Sequence, residues 1–216
     1  MHDDKVQTAL DWVEWAHEVY GNKLIVASSM QDAVLVDLVS RVYPYADVAF
    51  LDTGYHFEET LETRDAIEGA YGINVRDIHA EHSVEQQDML YGRNLFATDP
   101  DSCCNMRKVQ PMKRLLACYS AWVTGLRRSE SVSRNNQPFL SWDDTFDVWK
   151  LNPIVDWSDD DVSRYIEAND IIENPLVKQG YPSIGCEPCT QKAAGSDVRS
   201  GRWSCHMKSE CGMHGR

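Results

Sequence analysis

Apolar residues along the 216-residue chain follow two alternating rhythms, a helical period and short uninterrupted runs. Val6, Ala9, Leu10, Val13 and Ala16 fall on one helical face, and Gly21 closes that segment as a C-terminal cap. Lys23 to Ala27 is a strand-type run, after which Ser28 and Ser29 lead into a helical face through Val34, Leu35, Leu38 and Val39. The rhythm repeats with a strand at 47–51, a helix at 57–69, a strand at 73–78 and a weaker helix at 84–91. A long helix is expected from Cys103 to about Tyr119, capped by Asp101 or Ser102, and then a strand at 121–124. Val148 to Leu151 reads as another strand, and Ser158-Asp159-Asp160-Asp161 as a capping box that opens a helix through Val162 and Ile166. From about Gly180 glycine and polar residues replace the periodicity, which predicts loop and a flexible C-terminal tail. This alternation predicts an α/β fold, a doubly wound, mostly parallel sheet covered by helices on both faces.

Ligands of such sheets bind outside the carboxyl ends of the strands. Three predicted loops leave those ends: Ser28-Ser29-Met30, Asp52-Thr53-Gly54 and Gly125-Leu126-Arg127-Arg128. The first would set hydroxyls and amides at a helix N-terminus, suited to a phosphate or sulfate or serving simply as a cap. The arginines of the third, with Arg134 beyond them, suit an anion as well.

Charge sharpens that reading. The chain has 21 Lys+Arg against 34 Asp+Glu, a net charge of −13, so its surface repels nucleic acid and an anionic ligand needs a local basic pocket. No apolar stretch approaches the roughly 20 residues of a membrane span, and the expectation is a soluble cytoplasmic protein. Seven cysteines in such a setting point to metal binding or catalysis rather than to disulfides.

Four of them form two pairs, Cys103-Cys104 and Cys186-Glu187-Pro188-Cys189. Adjacent cysteines bridge each other only with strain, so the first pair reads as metal ligands, whereas Cys186-Glu187-Pro188-Cys189 alone suits a metal or a redox pair. Four thiolates hold either zinc or a [4Fe–4S] cluster; neighbouring ligands suit the cluster better, because a cubane offers them separate irons. Lys108, four residues after Cys104, shares its helix face. Cys118 reads as a small buried residue. The tail carries Arg199 and Arg202, then Glu210-Cys211-Gly212-Met213-His214. A thiol on a mobile segment, near two arginines and a histidine three residues on, can act as a nucleophile or can simply be exposed.

Taken together, Ser28-Ser29-Met30-Gln31-Asp32, Leu51-Asp52-Thr53-Gly54, Cys103-Cys104-Asn105-Met106-Arg107-Lys108-Val109, Gly185-Cys186-Glu187-Pro188-Cys189 and Glu210-Cys211-Gly212-Met213-His214 resemble the adenylylsulfate reductase family. That family lies within the larger group of adenylylsulfate and phosphoadenylylsulfate reductases, and ordinarily has leucine where this chain has Met213. The resemblance implies an adenine nucleotide alpha hydrolase-like domain at 1–195 carrying the nucleotide and iron–sulfur sites, and a mobile catalytic tail at 196–216. It implies one [4Fe–4S] cluster on Cys103, Cys104, Cys186 and Cys189, with an electrostatic and structural role transmitted through Lys108. It also implies that Cys211 attacks adenylylsulfate, that AMP leaves, and that thioredoxin then releases sulfite from a cysteine S-sulfonate. Ser28, Ser29, Leu51, Thr53, Gly125 and Arg134 would hold the nucleotide, and Lys108, Arg199, Arg202 and His214 would serve the reacting end. Phosphoadenylylsulfate as sole or second substrate is the alternative, although that branch typically lacks the cluster cysteines. Cys205 stands where no family cysteine is expected and reads as incidental or as able to close a reversible loop with Cys211, and a homo-oligomer is compatible with the sequence.

Overall fold

The computed structural model of the protein describes residues 2–195, 197–203, 208 and 210–214. Helix α1 (His2–Tyr20) presents Ala9, Val13 and Ala16 to the core, all fully buried. After it come β1 (Leu24–Ala27), α2 (Val34–Val42), β2 (Asp47–Asp52), α3 (Glu58–Tyr71), β3 (Asn74–His79), α4 (Val84–Tyr91) and the short α5 (Leu95–Thr98). Helix α6 (Pro100–Cys104), a π-helical turn (Asn105–Val109) and α7 (Gln110–Leu116) then run on without a break. The chain continues through β4 (Ala121–Thr124), β5 (Leu140–Asp143), β6 (Val148–Leu151) and α8 (Asp159–Asn169).

The six strands lie in the order β3-β2-β1-β4-β6-β5, all parallel except β5, which runs antiparallel to β6. From β1 the chain builds β2 and β3 to one side, then returns to add β4 on the other. The boundary between β1 and β4 is therefore the topological switch point, where open sheets of this kind hold ligands. Strand alternation divides the core into two layers. Leu24, Val26, Val48, Phe50, Val123 and Leu151 pack with α1, α2, α3 and α8, whereas Ile25, Ala49, Trp122 and Val148 pack with Met112 and Leu116 of α7 and with Met213 of the tail.

Several local expectations change. Ser28 and Ser29 do not cap α2, because Met30 turns the chain with a left-handed φ of 56°. Asp32 then forms an antiparallel backbone bridge with Glu173, and its Oδ1 accepts from the Val34 amide at 3.0 Å. The long helix starts at Pro100 and is capped by Asp99, whose Oδ1 accepts from the Ser102 amide at 3.0 Å, rather than by Asp101 or Ser102. It ends at Leu116, and Cys118 in the turn beyond is exposed, not buried. Strand β5 is an addition. The Ser158 box forms as expected: Ser158 Oγ accepts from the Asp161 amide at 3.2 Å, and Asp161 Oδ2 accepts from the Ser158 amide at 2.9 Å. Among the described residues, no helix is long and apolar enough to cross a membrane.

Candidate active site

Strand exits converge at the switch point: Ser28 and Ser29 follow β1, Thr53 follows β2 and Gly125 follows β4. With Leu51 they line a cavity of about 250 Å³, near the lower end of the sizes that hold a small ligand. Lys108 of the π turn, Arg134, Arg199 and Arg202 reach the same cavity, and so do Cys211 and His214. Every residue expected at an anionic nucleotide or its reacting end thus borders one space, and with Arg127 five cations meet there in a chain of net charge −13.

Each cation is held in place. Arg202 rests on Gly185, where an added Cβ would meet the guanidinium at 2.1 Å. Its Nη1 donates to the Ile184 carbonyl at 3.0 Å and to Ser183 Oγ at 3.3 Å, and its Cζ lies 4.6 Å from the centre of the Trp203 ring. Arg134 is paired with Glu130 and donates to both oxygens of Glu210, at 2.8 and 2.7 Å. Burial alone would raise the Glu210 carboxyl, but Arg134 and Arg199 hold it below the usual range. Of the two arginines after β4, only Arg127 reaches this space. Arg127 borders the cavity but is bound to Asp159 at 2.6 Å, and Arg128 donates to the Gln137 carbonyl at 2.7 Å and lies over Phe139.

A second, smaller chamber adjoins the first. Cys103 and Cys104 at the end of α6 and Cys186 and Cys189 around the tight turn Glu187–Cys189 line it, with no disulfide among them. Burial and mutual repulsion push the Cys103 thiol up to about 12 and the Cys189 thiol up to about 11. For Cys186, burial is outweighed by Lys108, by a 3.4 Å hydrogen bond with Thr53 Oγ1 and by Arg202, so its thiol lies below the usual range. Burial likewise opposes the charge on Lys108, yet Cys186, Cys211 and Cys104 keep its ammonium above its ordinary value. Lys108, Cys186 and Trp203 border both chambers, so the lysine stands between the thiols and the larger cavity. Trp203 Nε1 is buried with no partner among the described residues. Among those residues, no three His, Cys, Asp or Glu side chains close on a point to hold a single metal ion; the four thiols line the second chamber together with Tyr55, Arg107, Lys108 and Trp203.

The described part of the tail is docked. Glu210 is bound as above, Met213 is buried beside Trp122 and Met112, and the ring of His214 lies on that of Trp122, with centroids 5.9 Å and planes 7° apart. Burial first, then the positive charges of Lys150, Arg134 and Arg199, push the His214 imidazole well below its usual range. It is therefore neutral near pH 7, and orients rather than charges its surroundings. Cys205 lies outside the described residues. Sequence reasoning missed Arg107, which is buried and donates to the Thr53 carbonyl at 3.0 Å and Gln87 Oε1 at 2.9 Å. It also missed Lys150, whose signal was its place in phase with buried Val148 on β6.

Sheet, switch point and paired cavities define a doubly wound α/β protein of the adenine nucleotide alpha hydrolase-like type with a thiol-bearing site. Residues 23–192 match the family of the phosphoadenosine phosphosulfate reductase domain, and the chain belongs to that family. It is 53% identical to the adenosine 5'-phosphosulfate reductase of Rhodococcus opacus, covering 96% of this chain and 88% of that one. The protein of the same name from Mycobacterium tuberculosis is 50% identical, with 96% and 89% covered. Among solved structures, the phosphoadenylyl-sulfate reductase of Candida auris in its phosphate complex superposes with a TM-score of 0.72 at 25% identity, over 88% of this chain and 96% of that one. The FMN adenylyltransferase of Candida glabrata, with a TM-score of 0.61 at 12% identity over 91% and 70%, shares the fold alone.

Proposed function

We propose that the protein reduces adenylylsulfate to sulfite and AMP in sulfate assimilation, with Cys211 as nucleophile. The observation that carries this is the meeting of the Cys211 thiol with Lys108, Arg134, Arg199 and Arg202 around one cavity at the switch point. The relatives' shared name, adenosine 5'-phosphosulfate reductase, supports adenylylsulfate over its 3'-phosphorylated form. The Cys211 thiolate attacks the sulfate sulfur, a sulfur–sulfur bond forms, and the sulfur–oxygen bond to the phosphate breaks. AMP leaves with that electron pair, and the enzyme keeps a Cys211 S-sulfonate. Two anions meet in this step, so the cations lower their repulsion and stabilise charge growing on the departing phosphate. A thiolate of an external dithiol then attacks Cys211 Sγ, and sulfite departs with the electron pair. The second thiol of that dithiol resolves the mixed disulfide, which returns Cys211 and supplies two electrons in all. Thioredoxin is the dithiol we propose, and its approach requires residues 210–214 to leave their docked position.

Cys103, Cys104, Cys186 and Cys189 would hold a [4Fe–4S] cluster. Four unbridged thiols lining one chamber, and in its wall Trp203 Nε1, which has no partner among the described residues, fit such a group. When bound, it would supply local electrostatics and structural support, since the dithiol provides the electrons. Lys108 spans the two chambers and binds the anion on the far side.

Cys211→Ser tests the reading. Sulfite formation from adenylylsulfate and thioredoxin should fall at least a thousandfold, with AMP affinity unchanged within about twofold. Near-normal sulfite release by this variant would remove Cys211 from the nucleophile's role.

A further inference from the structure

One buried cation has no part in the chemistry above. Lys150 lies on β6 in a cross-strand row with Ile25 and Trp122, and the face it shares with Val148 is otherwise apolar. It is 3% exposed and does not line the nucleotide cavity. An ammonium in such a place is costly unless something satisfies it. Among the described residues, the one polar atom at hydrogen-bond distance from its Nζ is His214 Nδ1, at 3.0 Å. The ring of Trp122, 5.2 Å from Nζ to centroid, lies between the strand and the docked tail. The charged and titratable groups that face Lys150 are Asp143 of β5, Arg134 beyond β4, and Glu210 and Cys211 of the tail.

We infer that Lys150 is a positioning residue for the nucleophile, holding the docked tail through His214; this rests on the reading of Cys211 as the attacking thiol. An ammonium only donates, so Nδ1 of His214 accepts and the imidazole proton sits on Nε2. That bond fixes the ring flat on Trp122. Three residues earlier in the chain, Cys211 is held at the cavity by a short tether whose other end is the Glu210 pair with Arg134. Docking and the satisfaction of Lys150 are thus one event: with the tail away, the ammonium loses its hydrogen-bond acceptor. Its positive charge also favours a docked tail that carries Glu210 and an ionised Cys211 over an uncharged one.

The test uses the full-length protein and Lys150→Met, Lys150→Arg, His214→Phe and the Lys150→Met/His214→Phe pair. Hydrogen exchange at the tail peptide spanning Cys211 to His214 reads docking without substrate. Lys150→Met should speed that exchange at least tenfold, leave AMP affinity within twofold, and slow single-turnover S-sulfonation of Cys211 by a factor of about a hundred. Lys150→Arg keeps a donor and a charge and should recover most of the sulfonation rate. His214→Phe keeps the ring on Trp122 but removes the acceptor, so it should match Lys150→Met, and the pair should be no worse than either alone. Because His214 is on the tail, that variant reports even if the β6 change prevents folding. Unchanged tail exchange in Lys150→Met, or in His214→Phe, would overturn the role of Lys150 without touching that of Cys211. Loss of S-sulfonation with undisturbed exchange would also overturn it, since the lysine would then act on the chemistry and not on docking.

Discussion

At the residue scale the site depends on which atoms face each other. Arg202 occupies the space that a side chain at Gly185 would fill, and the nearest obstacle is the far end of a flexible guanidinium rather than backbone. Gly185→Ala should therefore leave the fold intact but displace Arg202 from Trp203 and from the anion. Steady-state kinetics should show KM for adenylylsulfate rising about tenfold, as loss of one charged hydrogen bond implies, with melting temperature little changed. An unaltered KM would mean that Arg202 does not grip the substrate. The residues with distinctive chemistry were legible from sequence. Cys103, Cys104, Cys186 and Cys189 stood out by spacing, and Cys211 by its place beside Arg199, Arg202 and His214. Lys150 carried only its phase with Val148 as a signal, since a lysine in a short strand ordinarily reaches solvent, and only the pairing of β4 with β6 encloses this one. Glu210 was not legible, since its carboxylate is set against Arg134 by tertiary contact alone.

At the element scale the tail behaves as a unit whose docking is linked to protonation. His214 has an imidazole pushed well below its ordinary value of 6.5 when docked, first by burial and then by Lys150, Arg134 and Arg199. In the undocked tail it would titrate near that ordinary value, so below pH 6.5 the undocked state binds more protons. The His214 contribution to docking is accordingly complete above pH 6.5 and weakens as pH falls, while burial lowers Lys150 to about 8, so its ammonium holds His214 only below that value. Hydrogen exchange of the tail, corrected for intrinsic rates, should be faster at pH 5.5 than at pH 7.5, and His214→Phe should lose that difference. A wild-type tail equally protected at both values would contradict the linkage. Most elements were readable from periodicity, including the Ser158 box that opens α8. The errors share a cause. Asp99 rather than Asp101 caps the long helix, and Ser28-Ser29 stay clear of α2, because loop geometry set by distant contacts decides a cap. The π turn at Asn105–Val109 has no pattern of its own; it adjusts the helix between the thiols and Lys108, as such turns often do at functional sites.

At the scale of the molecule, an acidic protein gathers five of its cations at the switch point of a doubly wound sheet and sets a thiol among them. The sheet supplies the strand exits for a nucleotide, the α6–α7 region and the turn at Glu187–Cys189 supply four further thiols, and the tail closes the cavity with Cys211. Lys108 borders both chambers, so the thiol quartet and the larger cavity share one charge. The doubly wound class was apparent from alternating strands and helices, whereas the antiparallel β5 at the sheet edge was not, being four residues long and without a strong apolar run. All of this converges on a covalent intermediate, and the most direct measurement is to incubate the protein with adenylylsulfate without reductant, digest it, and locate the added sulfonate by mass spectrometry. One sulfonate per chain is expected on the peptide containing Cys211, with release of an equal amount of AMP, and thioredoxin should remove it as sulfite. AMP or sulfite formed with no sulfonated peptide, or a sulfonate carried by another cysteine, would contradict it.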